Sequence, residues 1–257
     1  MNFELPKLQR MPDEPSGSAD NETTKIGKQY NDFAEDFADK HKNLDEITQI
    51  SFQKALQGID FKDKKVIDLG CGDGYDLLKL QEKGAIVYGL DASEEMIKLA
   101  KAKNSSGNFE NGFFENIPYP DASFDVVVSK YAMQTSKDVP KILEEVGRVL
   151  KPGGNLIYVV THPVRQFMEK KKSDKDYFKQ DVVDSVLFDG AITVHEPSHT
   201  LAEYLNPEFL KNFDLTFYEE KFDPSNAEMV EGSSYPAFLC VGAKRKSASE
   251  SIIPQTI

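Results

Sequence analysis

Apolar residues along this chain change their spacing repeatedly, and each change marks an element. Between about Ile26 and Gln57 the spacing is helical: Tyr30, Phe33, Ala34 and Phe37 fall at i, i+3, i+4 and i+7 and make one stripe. Ile47, Ile50 and Ala55 predict a second helix ending at Gly58. The runs Lys65–Leu69 and Ile86–Leu90 are short and apolar, as expected of strands, and Tyr75–Lys83 and Ser93–Lys103 read as the helices that follow them. A short strand near Phe109–Phe114, a strand at Phe124–Ser129, a helix over Lys137–Leu150 and a strand at Asn155–Thr161 continue the alternation. Strands alternating with helices of this length predict a parallel sheet covered on both faces. The rhythm stops from His162 to His199, and a connection that long is usually functional or without fixed structure. A helix over Leu201–Asn212, interrupted at Pro207, and strands at Leu215–Lys221 and Ala237–Ala243 follow. Two strands with no clear helix between them predict an antiparallel hairpin at one sheet edge.

The junction after the first strand carries the chemistry. Val66-Ile67-Asp68-Leu69 runs into Gly70-Cys71-Gly72-Asp73-Gly74, three glycines at alternate positions. Glycine lets a backbone turn tightly and approach a ligand closely. The second strand ends in Asp91, placed to accept two hydrogen bonds from a ribose diol. An adenosine-containing cofactor is therefore expected. The nicotinamide fingerprint is G-x-G-x-x-G; here the third glycine comes one residue early, and Asp68 precedes the first by two.

That pattern resembles motif I of the class I S-adenosylmethionine (SAM) methyltransferases, D-x-G-x-G-x-G, and three later blocks resemble the same family. Asp91-Ala92-Ser93-Glu94-Glu95-Met96 is similar to its ribose acid and D-x-S-x-x-M. Ile117-Pro118-Tyr119-Pro120-Asp121-Ala122-Ser123-Phe124-Asp125 is similar to its L-P-F-x-D-x-S-F-D. Glu145-Val146-Gly147-Arg148-Val149-Leu150-Lys151-Pro152-Gly153-Gly154 is similar to its E-x-x-R-V-L-K-P-G-G. Within the class, the chain is similar to the methyltransferase type 11 group, most of which act on small metabolites. The resemblance implies an α/β fold: a Rossmann-like three-layer sandwich whose seven-stranded, mostly parallel sheet has an antiparallel last strand.

Carried residue by residue, the resemblance implies that Asp68, Gly70, Gly72 and Gly74 surround the methionine end of SAM, with Asp68 orienting its ammonium or else capping the loop amides. Asp91 and Ala92 would hold the ribose, and Met96 would pack on the adenine wall or simply in the core. The adenine end departs from the family's G-D-A-E, because Phe113 stands where the acid is usual. Recognition there passes to Phe114, Glu115, Asn116 or a backbone carbonyl, and Phe113 either stacks beside the purine or fills the core. Tyr30-Asn31-Asp32-Phe33-Ala34 resembles the Y-D-x-x-A entry whose tyrosine closes over the methionine carboxylate. Ser129 and Lys130, after the fourth strand, face the cofactor.

For the acceptor, Tyr131 and the residues after the fifth strand lie where open α/β sheets bind ligands. His162 is a candidate general base or a residue fixing the Pro163 turn. Arg165 is placed to pair with a substrate carboxylate or with a surface acid; His199, Tyr204 and Tyr235 are candidate walls, as is His195. Methyl transfer needs mainly a positioned acceptor, and neither a dedicated base nor a metal site is expected. A small-molecule methyltransferase acting on O, N or C is the leading reading. Its rivals are a protein or peptide methyltransferase, a non-catalytic SAM-binding scaffold, and a nicotinamide dehydrogenase.

Composition narrows the partners. A chain of 257 residues is ample for one α/β domain. The net charge of −12, with 43 acidic against 31 basic residues, disfavours nucleic acid, which needs clustered cations. The densest basic run, Lys170-Lys171-Lys172, is flanked by Glu169, Asp174 and Asp176. No window is long and apolar enough for a membrane span. The start Asn2-Phe3-Glu4-Leu5-Pro6 lacks a secretory signal pattern, and two cysteines make no disulfide framework, so a cytoplasmic setting is expected. The expected organisation is a flexible arm over 1–24, a methyltransferase domain over 25–245 and a flexible tail over 246–257. Within the domain, residues 25–60 form a helical lid and 162–199 a substrate cap.

Overall fold

A computed structural model describes residues 20–40, 46–172, 175–188, 190–222, 230 and 233–247. Most of the arm and tail expected from the sequence lies outside these residues. Inside them, the first helix, α1 (Asp20–Asp32), already begins within the stretch read as an arm. The helical stripe expected to run through Phe37 is broken at Phe33, so α2 (Ala34–Lys40) is a separate segment. Helix α3 (Glu46–Ala55) ends before Gly58, whose φ of +84° lets the chain reverse into the first strand.

Seven strands build the sheet: β1 (Lys65–Leu69), β2 (Ile86–Asp91), β3 (Asn108–Asn111), β4 (Phe124–Lys130), β5 (Leu150–Thr161), β8 (Phe213–Lys221) and β9 (Phe238–Arg245), in the order β3-β2-β1-β4-β5-β9-β8. Strands β1 to β5 pair in parallel, and β9 runs antiparallel to both β5 and β8. The closing hairpin is thus not simply appended: β9 inserts between β5 and β8, and β8 alone forms that edge. Its sequence explains the order. All but the end of β9 is buried, whereas β8 alternates toward solvent.

Helices α4 (Tyr75–Glu82), α5 (Glu94–Lys103) and α6 (Val139–Val149) connect the parallel strands. Alternate strand residues feed two cores. Ile67, Leu69, Tyr158 and Val160 meet Val139, Ile142, Leu143 and Val146 of α6, while Val66, Val128 and Ile157 meet Leu77, Leu80 and Ala100. The start of α6 is set by Asp138, whose carboxylate accepts from the Lys141 amide at 2.9 Å. From β1 the chain moves outward to β2 and β3, then crosses back to β4 on the other side. Loops diverge where that order reverses, which opens a crevice at the C-terminal ends of β1 and β4.

Two of the sequence blocks hold each other in place. Arg148 donates to Glu145 (2.7 and 2.9 Å), to the carbonyls of Ile117 and Tyr119 (2.8 and 2.7 Å) and to Asp121 (3.1 Å). Glu145 in turn accepts from the Ile117 amide at 3.0 Å. Lys151 pairs with Asp125 at 2.9 Å, and Asp125 also accepts from the Lys65 amide. These blocks shape the segment leading into β4 and contribute no side chain to the crevice described below.

The connection over 162–199 is largely ordered. It starts with a helical turn α7 (Pro163–Arg165) and a π-helical turn Gln166–Lys170, then forms a hairpin of β6 (Val182–Leu187) and β7 (Ile192–Pro197). Short helices α8 (Leu201–Tyr204) and α9 (Pro207–Asn212) follow, interrupted ahead of Pro207 as its missing amide requires.

Replacing Arg148 with alanine leaves the nearly buried Glu145 carboxylate without its cation, and the expected loss in urea denaturation at neutral pH is about 3 kcal/mol. The Arg148 hydrogen bonds hold the Glu145 pKa below 4.5. The stability they supply is therefore present above that value and lost as the pH falls through the folded-state pKa. The gap between wild type and variant should narrow under acid; a gap that widens would contradict this role.

Candidate cofactor and acceptor cavity

A cavity of about 930 Å³, including its open mouth, occupies the crevice at the ends of β1 and β4. Its floor is the glycine loop. Gly70, Gly72 and Gly74 all have left-handed φ values, +79°, +52° and +76°. A Cβ on Gly70 would stand 2.1 Å from that of Ala132, so loop and β4 extension are packed as closely as backbones allow. A Cβ on Gly72 would meet nothing within 4 Å: the space beside it is open to a ligand. Gly74 has a different task, starting α4 and packing against Phe109, and it does not line the cavity.

Asp68 faces the cavity from the end of β1 and is only 5% exposed, and its Oδ1 has no hydrogen-bond partner among the described residues. Burial, with Asp76 and Asp91 nearby and Lys130 opposing, pushes its pKa up to about 8. Asp91 is held differently: Oδ2 accepts from the Gly72 amide at 2.8 Å and Oδ1 from the Ser93 amide at 2.9 Å. Lys130 lines the same cavity and is paired with Asp76. Ala92, Met96, Phe113 and Phe114 complete the wall beyond Asp91.

Helix α1 lies over the cavity. Gly27 packs against the carbonyl of Ala92 so closely that a Cβ would come within 2.4 Å of it. Asn31 accepts from the Ser93 hydroxyl at 2.7 Å, and Ser93 caps α5 by accepting from the Met96 amide. On the other side, the Gln29 amide exchanges two hydrogen bonds with the backbone of His195 on β7, at 2.9 and 3.3 Å. Tyr30 and Phe37 reach down into the cavity, their rings 5.8 Å apart. Burial, aided by Glu196 and Asp91, raises the Tyr30 pKa, so its phenol stays neutral.

After β4, Tyr131 lines the cavity in a left-handed conformation (φ +53°), which costs a residue with a side chain about 1–2 kcal/mol. Its amide donates to Val159 at 2.7 Å, and its hydroxyl shares a hydrogen bond of 2.8 Å with Thr48 of α3. Ser129 is fully buried and donates to the carbonyl of Leu69, stitching β4 to β1.

Of the residues singled out in the sequence, Tyr30, Asp68, Gly70, Gly72, Asp91, Ala92, Met96, Phe113, Phe114, Lys130 and Tyr131 converge on the cavity, as does Phe37 from the predicted stripe. The others do not. Glu115 turns to Ser136, Asn116 lies outside the wall, and Phe113 occupies it instead. His162 is buried as the cap of α7: Nδ1 accepts from the Val164 amide at 3.1 Å, and Nε2 meets Glu220 at 2.9 Å. Burial, opposed by Glu220, lowers its pKa and keeps it neutral. It therefore fixes the Pro163 turn, and a general-base role finds no support in its placement. Arg165 pairs with Glu169 at 2.8 Å, and Tyr235 donates to that same Glu169 at 2.7 Å. His199 meets the carbonyl of Gln134 at 2.9 Å, and Tyr204 sits in the core with its carbonyl accepting from Tyr158. Gly27, Gln29 and Asn31 were not found from sequence, because their partners are distant in the chain and no periodicity marks them.

The profile of a family described as "Methyltransferase domain" matches residues 60–204. A demethylmenaquinone methyltransferase of Lactococcus lactis subsp. lactis is 35% identical over 129 residues, 47% of this chain and 50% of that protein. A malonyl-[acyl-carrier protein] O-methyltransferase of Serratia marcescens is 33% identical over 95 residues, 37% of each chain. The matched stretches thus span half or less of these relatives. A solved structure of a Listeria monocytogenes protein, assigned as an S-adenosylmethionine-dependent methyltransferase, is similar with a TM-score of 0.62 and 27% identity. That match covers 78% of this chain and 100% of the other.

Substituting Gly70 with alanine combines an unfavourable φ with a clash on Ala132, and the expected loss of stability is about 3 kcal/mol. Ala132→Gly in the same chain should recover roughly half, since it relieves the contact and not the φ. Equal losses in the single and double variants would show that the loop and the β4 extension are not packed as described.

Proposed function

The chain belongs to the class I SAM-dependent methyltransferases, and from that footing we propose that it transfers a methyl group from SAM to O, N or C of a small-molecule acceptor. The observation that carries the cofactor placement is Asp68, a buried carboxylate oxygen with no partner, facing open space beside Gly72. A cation at that position supplies the missing partner, and the α-ammonium of SAM has the right charge. Gly70 and Gly72 give the methionine portion backbone-level access. Asp91 retains capacity for ribose hydroxyls, since each of its oxygens accepts one backbone bond and has a second lone pair. Phe113 and Met96 supply the apolar surface for the purine, which answers the missing acid at position 113 with stacking in place of a hydrogen bond.

SAM supplies an electrophilic methyl on a sulfonium. The chain's task is to hold an acceptor about 3 Å from it and to exclude water. Helix α1, tied to Ser93 on one side and to β7 on the other, performs the exclusion, while Tyr131 and Thr135 border the acceptor end. An acceptor space recessed beneath α1 favours a small molecule over a folded protein surface. The name of a relative acting on demethylmenaquinone agrees with a small-molecule acceptor. We place the reaction in the cytoplasm, in keeping with two buried free thiols, Cys71 and Cys240.

Incubation with methyl-labelled SAM and a metabolite extract should put label into small molecules. Label confined to protein would support a protein methyltransferase, and binding without transfer a scaffold. Asp68→Asn should weaken SAM binding by about 10- to 100-fold, the worth of one charged hydrogen bond; unchanged binding would remove Asp68 from the site.

A further inference from the structure

Resting on the cofactor placement above, the charges around the acceptor end of the cavity define what can bind there. That end is bordered by Tyr30 and Phe37 from the cover and by Tyr131, Ala132 and Thr135 after β4: three rings, a methyl group and hydroxyls. Among the described residues, no cation lining it is left to neutralise a charged acceptor. Lys130 is engaged by Asp76. In the overlying cap, Arg165 is paired with Glu169 (2.8 Å) and Lys170 with Glu196 (3.1 Å), the second pair almost wholly buried. Lys171 donates to the carbonyls of Asp176 and Lys179, and Lys175 to those of Phe167 and Met168.

The anions are equally committed. Asp73 is paired with Lys103, Asp76 with Lys130, and Asp91 accepts two backbone amides. Asp68 retains an unpartnered oxygen, and one cationic cofactor satisfies it. A carboxylate or phosphate acceptor would enter a space holding four aspartates and no uncommitted cation among the described residues. A cationic acceptor would stand near the sulfonium, and the carboxylate with an unpartnered oxygen, Asp68, is already matched by the cofactor's ammonium. Both are disfavoured by desolvation without compensation. Aromatic walls offer ring faces, and the Tyr131–Thr48 hydroxyl pair at 2.8 Å keeps that border neutral.

We propose that the acceptor is an uncharged molecule with a planar ring, whose nucleophile is a ring hydroxyl or ring nitrogen. In the transfer, a lone pair on that atom forms the bond to the methyl carbon as the carbon–sulfur bond breaks. That bond pair stays on sulfur, giving the neutral thioether, and a proton carried by the attacking atom leaves to solvent through the cavity's open mouth. The sulfonium's positive charge is thereby accounted for without a charged partner on the protein. Selection between acceptors is set by charge rejection in a ring-lined space, and a pocket cation plays no part.

The test uses the full chain saturated with S-adenosylhomocysteine at neutral pH and three probes sharing one ring system: naphthol, naphthoate and naphthylmethylamine. Calorimetry or ligand-observed magnetic resonance reads their affinities. The expected result is that naphthol binds at least about tenfold more tightly than either charged probe. Equal or tighter binding of naphthoate or the amine overturns the proposal, and so does failure of all three to bind protein that holds S-adenosylhomocysteine. Failure of S-adenosylhomocysteine itself to bind is a separate outcome: it removes the cofactor reading, and this proposal with it.

Discussion

Asp68 sits at the end of a central strand, nearly buried, with a carboxylate oxygen that no described group satisfies. Burying such a group without compensation is costly, and the surrounding chain is arranged so that the cost persists. Val66, Ile67 and Leu69 lock β1 between two cores, which fixes where the carboxylate points. The three left-handed glycines then turn the backbone aside and leave open space in front of it. With its pKa near 8 against an ordinary 3.8, the ligand-free group is mostly protonated at neutral pH. The sign is that of a raised acid: the stability contribution is present below the unfolded value and lost as the pH rises through about 8. A bound cation reverses that preference and favours the ionised form, so binding of a positively charged ligand is linked to release of the Asp68 proton.

Closure over this group is distributed among small contacts. Gly27 allows α1 to approach the Ala92 carbonyl, Asn31 joins the cap of α5, and Gln29 joins the edge of β7. Each hydrogen bond is worth about 1 kcal/mol. Together they connect the stretch following Asp91 to the β6–β7 hairpin through one helix, so the wall beyond Asp91 and that hairpin share a single support. The buried Lys170–Glu196 pair anchors the same hairpin from below.

How much of this was legible in the sequence follows from how local the determinants are. β1, β2, β4 and the glycine loop were readable because Val66–Leu69, Ile86–Leu90 and Phe124–Ser129 are apolar runs next to turn residues, and Asp68 and Asp91 fell in the cavity for the same reason. The interruption at Pro207 was readable from the ring's missing amide. The β6–β7 hairpin was not recognised, although Val183, Ser185, Ile192 and Val194 alternate inward and Gly190 (φ +91°) marks its turn. The long polar stretch before it masked that signal. Side chains after β5 were assigned to the site by position alone. Arg165 and Tyr235 instead share Glu169, His162 meets Glu220, His199 meets the Gln134 carbonyl and Tyr204 packs in the core, a matter of three-dimensional placement that spacing does not encode. Placement of β9 inside β8 likewise depends on which strand is buried on both faces.

The central claim is that the cavity binds the cationic cofactor by ionising Asp68. Calorimetric titration of S-adenosylhomocysteine at pH 7, repeated in buffers of different ionisation enthalpy, tests it directly. With a free-state pKa of about 8, most of one proton should be released per ligand bound, and Asp68→Asn should abolish the release. Tight binding with no buffer dependence, or binding of NAD in place of S-adenosylhomocysteine, would contradict it.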